Sequence, residues 1–231
     1  MVFAEPQGDY SWLFDLVAAD PIVRHQALAR HQALLAAASD ALHLSNGLWA
    51  AHYRSRSSQT RLAAALDRAR ADFRWREDQT IYGPVHAFRD APDDDRVGHA
   101  RWAPIAALYL RWETEYPDDW GAPGSWMWSR WGTKEGLLRQ FNRRGLPEAV
   151  KPQIAELILA ALSRPYRCKD WLYAGLVRHL HDSPFLPEVE MLTLADDPLV
   201  QLRAQFVLQV AVHPEQTPTR TSWRRWLAAR A

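Results

Sequence analysis

The 231 residues carry 28 Lys+Arg against 27 Asp+Glu, a formal net charge of +1, and hydrophobic residues make up 48%. That balance excludes a disordered or collagen-like chain, and it gives the molecule as a whole no drive toward nucleic acid or an anionic membrane. The single cysteine, Cys168, excludes an internal disulfide and a thiolate metal site within one chain.

The first helix signal is Asp20-Pro21-Ile22-Val23, an N-cap Asp before a Pro at the first helical position. It predicts a helix to about residue 39. Ser57 to Thr60 caps a second helix to about residue 76, with one apolar stripe at Leu62, Leu66, Ala69 and Phe73. Residues 77–132 follow as an irregular join, with a long exposed loop around Asp90 and Asp93-Asp94-Asp95. One helical stripe stands within it, at Trp102, Ile105, Tyr109, Trp112 and Tyr116, with Pro104 near its start. Thr133 caps a short helix that stops at Gly145. Residues 148–162, 169–181 and 188–195 are predicted helices. Asp197-Pro198 repeats the first start signal, for a helix to about residue 212. Ser222 caps a last helix bearing Trp223 and Trp226. No run of β-branched residues between turn signals predicts a strand. The fold class is therefore all-α, with roughly ten to twelve helices of about three turns.

Internal repetition organises these elements. Leu146-Pro147-Glu148-Ala149-Val150 returns as Leu186-Pro187-Glu188-Val189-Glu190, 40 residues later. Two-helix units at about 40–47 residues are the period of helical solenoids. Ala18-Ala19-Asp20-Pro21-Ile22-Val23 and Ala195-Asp196-Asp197-Pro198-Leu199-Val200, followed by Ala27 and Ala204, also match each other. This Asp-Pro start resembles the second helix of HEAT repeats, best over residues 190–212. The resemblance to the HEAT-like superfamily implies a right-handed superhelical stack of antiparallel helix pairs, an α-solenoid. It would form a single domain over 1–231, with halves at about 1–76 and 133–231 joined by the irregular, Trp-rich 77–132 segment.

Candidate chemistry is sparse. There is no Gly-x-Ser-x-Gly, no Cys-His signature and no phosphate-binding glycine loop. His25 and His31 are six residues apart, so on a helix they face apart and do not chelate. His179, His181 and Asp182 cluster at a helix end, where histidines complement the dipole, and His86 and His99 flank the acidic run without a calcium-loop pattern. No metal and no cofactor are expected. Arg54, Arg61 and Arg68 recur every seven residues, the spacing of a basic helix face. The basic residues are 25 Arg and 3 Lys, the bias of a GC-rich bacterial genome, so single Arg positions carry little information.

Tryptophan is the anomaly, with 12 in the chain. Trp102 and Trp112 lie at core spacing, and Trp171, Trp223 and Trp226 fit repeat helices. Trp120, Trp126, Trp128 and Trp131 cluster with Arg130 where the repeat pattern fails. Trp and Arg are enriched at binding hot spots, so these five residues are the candidate binding site. The alternative for the cluster is a buried plug between the two halves.

The expected function is a non-catalytic binding module that grips a protein partner, of the immunity, antitoxin or assembly-factor kind. Residues 77–120 carry a net charge of −6, and Asp93, Asp94 and Asp95 are a candidate surface for a basic partner. The alternative is a nucleic-acid-binding enzyme. HEAT-like DNA alkylpurine glycosylases are similar in size, and that resemblance implies aromatic rings from Trp126, Trp128 and Trp131 and an acid from Asp118 or Asp119. The first ten residues hold no leader signal and no apolar run reaches the ~18–20 residues of a membrane span, so the expected location is the cytoplasm, away from membranes.

Overall fold

Two Asp-Pro steps begin helices in the same way. In the computed structural model, which describes residues 8–54, 59–122, 128–180 and 184–230, Asp20 Oδ1 accepts from the Ile22 amide at 2.8 Å and starts α1, Pro21–Arg54. Asp197 Oδ1 accepts from the Leu199 amide, also at 2.8 Å, and starts the helix Pro198–Val212. In each case proline occupies the first turn, where its missing N–H removes no helical bond.

The first helix runs far past the predicted residue 39, to 34 residues. Nothing breaks it, since the following stretch is rich in Ala and Leu and holds no proline. Its partner is α2, Gln59–Asp78, and the two helices pack into a hairpin. The near part of α1, through Ala27 and Leu28 to Leu34 and Leu35, joins the main core. Farther out, Ala38, Ala41, Leu66 and Ala69 are buried but stand apart from that core, so this end of the hairpin packs on itself. The predicted α2 stripe holds for Leu66 and Ala69, which are buried, while Leu62 and Phe73 are half-buried. The predicted cap at Ser57 lies outside the described residues. Arg54 ends α1 while Arg61 and Arg68 stand on α2, so the seven-residue arginine series is split between two helices.

Residues 77–132 differ most from the expectation of an irregular join. They hold α3, Tyr82–Asp90, α4, Arg96–Glu115, and α5, Pro117–Gly121. The acidic run is only the turn from α3 to α4. Asp95 Oδ1 accepts from the Gly98 amide at 2.8 Å and caps α4. Pro104 sits inside α4 rather than near its start. From Trp102 to Glu113 the helix is buried on most sides, with Trp102, Ala103, Ile105, Ala106, Tyr109 and Trp112 all in the core, while Arg96, Val97, Ala100 and Arg101 in its first turns are exposed. It packs against the 3-10 helix Ser11–Val17 and against α3 and α5.

The remaining helices are α6, Arg130–Arg144, α7, Lys151–Ser163, α8, Phe185–Leu192, α9, Pro198–Val212, and α10, Arg220–Arg230. Both α6 and α7 also pack on α4. Ser129, not Thr133, caps α6 by accepting from the Gly132 amide at 3.1 Å, and Thr133 is buried. Gly145 ends α6 as predicted, at φ 87°, where a side chain would be strained. The predicted helix at 169–181 is a 3-10 helix over Asp170–His179. Thr219 and Ser222 cap α10 reciprocally, three residues earlier than predicted. Among the described residues there is no strand, and the fold is all-α. No helix among them is long and apolar enough to cross a membrane.

Candidate functional site

Five charged side chains meet in the interior beside α4. Glu113, near the end of α4, and Lys134, in the second turn of α6, are both fully buried. Lys134 Nζ donates to Glu113 Oε2 at 2.9 Å and to Asp170 Oδ1 at 2.7 Å. The stretch between α7 and the 3-10 helix supplies the rest. Arg164 donates to Asp170 Oδ2 at 2.7 Å and to Glu113 Oε2 at 3.4 Å. Arg167 Nη1 donates to Glu113 Oε1 at 3.2 Å and to the Glu113 and Thr114 carbonyls, while its backbone amide donates to Asp170 Oδ2 at 2.7 Å. Lys169, with φ 72°, turns the backbone so that Asp170 points back into this cluster. Burying such charges costs several kcal/mol each unless partners satisfy them, and here both carboxylates are saturated by cationic donors. Tyr173 packs below Lys134, with the ammonium 5.5 Å from its ring. Burial, then the charges of Glu113 and Asp170, hold the Tyr173 hydroxyl far above its ordinary range.

A pocket of about 540 Å³ opens beside the cluster, lined by Glu113, Trp120, Arg130, Trp131, Arg167 and Cys168 among others. Pro117 starts α5 straight after α4 and so brings Trp120 to the wall. The Ser129 cap sets the first turn of α6, which carries Arg130 and Trp131. The two indoles meet edge to face, with centroids 4.8 Å apart at 65°. Arg130 donates to the Trp120 carbonyl and, at 3.0 Å, to the Ala122 carbonyl, so it fastens α5 to α6. Burial pulls its guanidinium below the ordinary arginine range. Cys168 is exposed at the rim.

Of the predicted binding residues, Trp120, Arg130 and Trp131 share this pocket. Trp128 does not line it. Its ring lies 4.7 Å from Tyr82 and 5.2 Å from His86, under α2 and α3. Trp126 lies outside the described residues, as do His181 and Asp182. The acidic triplet is divided: Asp95 is a helix cap, Asp93 pairs with Arg143 at 3.1 Å, and Asp94 is exposed. Asp119 accepts from Arg24 Nε at 3.3 Å, while Asp118 sits in the first turn of α5. His25 is exposed and His31 buried, so they do face apart, but the helix they share is solvated on one side only. His31 is wedged between Trp12, Tyr82 and Trp112. His86 Nδ1 lies 3.0 Å from Glu77 Oε1, and His99 Nε2 lies 3.1 Å from the Gly145 carbonyl. Among the described residues no three His, Cys, Asp or Glu side chains converge as a metal ion requires.

Sequence reasoning missed Glu113, Lys134, Arg164, Arg167 and Asp170. One signal was present. Lys134 is one of 3 lysines beside 25 arginines. An ammonium is a compact charge with three rotatable donors, and from the fully buried position 134 it reaches both carboxylates. Comparison with family models, curated proteins and solved structures finds no match to this sequence.

Proposed function

We propose that the protein is a non-catalytic binding module that grips a protein partner, and that the Trp120–Trp131 pocket is its point of recognition. The observation that carries this reading is the pocket's make-up: two tryptophans and two arginines on one concavity. Such residues dominate interface energetics. Both neighbouring carboxylates are taken up by cations, which leaves no free acid-base pair at the wall for proton transfer. In this reading the helices stack as HEAT-like pairs in a right-handed superhelix. The pairing of α8 with α9, with α7 and the 3-10 helix Asp170–His179 packed against them, supports it. The module belongs to the bacterial cytosol, as an immunity, antitoxin or assembly factor. The test is capture from native lysate with the wild-type protein, Trp131→Ala and Arg167→Ala side by side. A protein held by wild type and lost with both variants supports the reading. Capture that ignores both variants removes the pocket from it, and no specific capture overturns it.

A nucleic-acid-binding enzyme is the second reading, and the α1–α2 hairpin favours it. Trp49 and Tyr53 stack at 5.7 Å and are exposed, as is Trp75, with Arg54, Arg61 and Arg68 on the same two helices. Exposed rings among arginines suit single-stranded nucleic acid. Binding of labelled DNA that weakens steeply between about 50 and 200 mM salt supports this reading, and no binding at the lower salt ends it.

A further inference from the structure

The charges beside the pocket do not cancel. Lys134, Arg164 and Arg167 face only two carboxylates among the described residues, Glu113 and Asp170, in a cluster that is buried at Lys134, Glu113 and Asp170 and opens toward solvent at Arg167. Arg203 adds a further buried cation. It donates to the carbonyls of Leu162 and Arg164 and has no carboxylate partner among the described residues. Uncompensated positive charge in such surroundings attracts an anion strongly, because the local dielectric is low.

Arg167 is where that excess reaches the pocket. Lys134, Arg164 and Arg203 do not line it, whereas Arg167 does. Its Nη1 is committed to Glu113 and Thr114, and its Nη2 and Nε donate to no described residue. Glu113 lines the pocket too, but its carboxylate is already engaged by Lys134, Arg164 and Arg167. The pocket therefore offers guanidinium donors beside two indole walls. Its volume of about 540 Å³ suits one large residue or small molecule, not a helix laid in a groove.

We propose that this pocket takes the C-terminal carboxylate of a partner polypeptide whose last residue is aromatic. This deepens the binding-module reading and rests on it. The chemistry narrows the occupant. A guanidinium edge pairs with a carboxylate through parallel N–H donors. An aspartate or glutamate side chain brings the carboxylate without a ring. Only at the C-terminus of a polypeptide does one residue carry an aromatic side chain and a carboxylate together.

The test uses calorimetric titration of the full-length protein with an acetylated Gly-Ser-Gly-Ser-Phe peptide, as free acid and as C-terminal amide, and with phenyl phosphate. The free acid is expected to bind about tenfold or more tightly than the amide. Arg167→Ala brings the free acid down to the level of the amide, and Arg167→Lys recovers part of the difference by keeping charge without the fork. Trp131→Ala, at a half-exposed wall, weakens acid and amide alike. Thermal melts confirm that each variant is folded. Equal affinity for acid and amide overturns the proposal, as does binding of phenyl phosphate alone or of none of the three. If lysate capture still depends on Trp131 while acid and amide bind equally, the carboxylate proposal fails and the binding-module reading stands.

Discussion

Lys134 holds one ammonium between two carboxylates with no atom open to water. Removing it takes away the buried ammonium donor that bridges Glu113 Oε2 and Asp170 Oδ1 and leaves those oxygens under-satisfied in the interior. Lys134→Met is therefore expected to destabilise the protein by about 3–5 kcal/mol, as the loss of one partner in a buried ion cluster does. Urea denaturation measures this. A loss within a few tenths of a kcal/mol would mean that water reaches the cluster. His31 gives the second outcome at this scale. Burial among Trp12, Tyr82 and Trp112 lowers its pKa to about 4 from an ordinary 6.5. The unfolded state thus binds a proton at His31 before the folded one does. The neutral imidazole's contribution is intact above pH 6.5 and is lost as pH falls toward 4. The total is about 3 kcal/mol, at about 1.4 per pKa unit. Asp78 acts in the opposite sense, because burial and then Glu77 push its carboxyl up to about 6. Its contribution is present below 3.8 and is lost as pH rises through about 6. The stability difference between wild type and His31→Phe isolates the histidine. It should shift against wild type by about 3 kcal/mol on moving from neutral pH to about pH 4, and a constant difference would rule out a neutral buried imidazole.

At the scale of elements, the two Asp-Pro helix starts were legible, while other starts shifted by a few residues and the burial of whole helices was not legible. Asp20-Pro21 and Asp197-Pro198 announce their helices because a cap is local chemistry. The length of α1 went unread, although the Ala- and Leu-rich stretch after residue 39 holds no proline to stop it. In sequence the stripe at Trp102, Ile105, Tyr109, Trp112 and Tyr116 marks a helix within the 77–132 join, but the burial of Ala103, Ala106 and Leu110 as well depends on the elements packed around α4. The α1–α2 hairpin shows the consequence of partial burial. Its far end rests on Ala38, Ala41, Leu66 and Ala69, with Ser45 also buried, outside the main core. Such a segment opens locally at a lower cost than the global unfolding free energy. Amide hydrogen exchange should show the far halves of α1 and α2 exchanging well before α4. Leu66→Ala removes a side chain that is 4% exposed and should lower protection in the hairpin, up to the about 2–5 kcal/mol of a large-to-small core change. Protection in α4 should stay as it was, and equal loss in both would join the hairpin to the core unit.

At the scale of the whole molecule, the Trp120–Trp131 pocket was half legible. Its walls stood out in the sequence as a Trp cluster, whereas the charged cluster beside it, of which Glu113 and Arg167 reach the pocket, comes from positions 113, 134, 164, 167 and 170, which only the packing of α4, α6 and the 164–170 loop brings together. The same packing sets how the molecule unfolds. In a pure solenoid each repeat touches only its neighbours, and the ends can fray while the middle stays folded. Here α4 touches the 3-10 helix Ser11–Val17 as well as α3, α5, α6 and α7, and a single apolar cluster runs from Tyr10 to Trp223. A helix shared by elements from both ends couples them. Apart from the hairpin tip, the protein should therefore melt in one cooperative transition, with calorimetric and van't Hoff enthalpies in agreement. Ala106 has no exposed surface and lies on this shared helix. Ala106→Leu overpacks it, at a cost of about 1–3 kcal/mol. In that variant the near-ultraviolet signal of the tryptophans and the far-ultraviolet helix signal should move to lower temperature together. If they separate into two steps, α4 does not tie the halves, and the protein unfolds repeat by repeat.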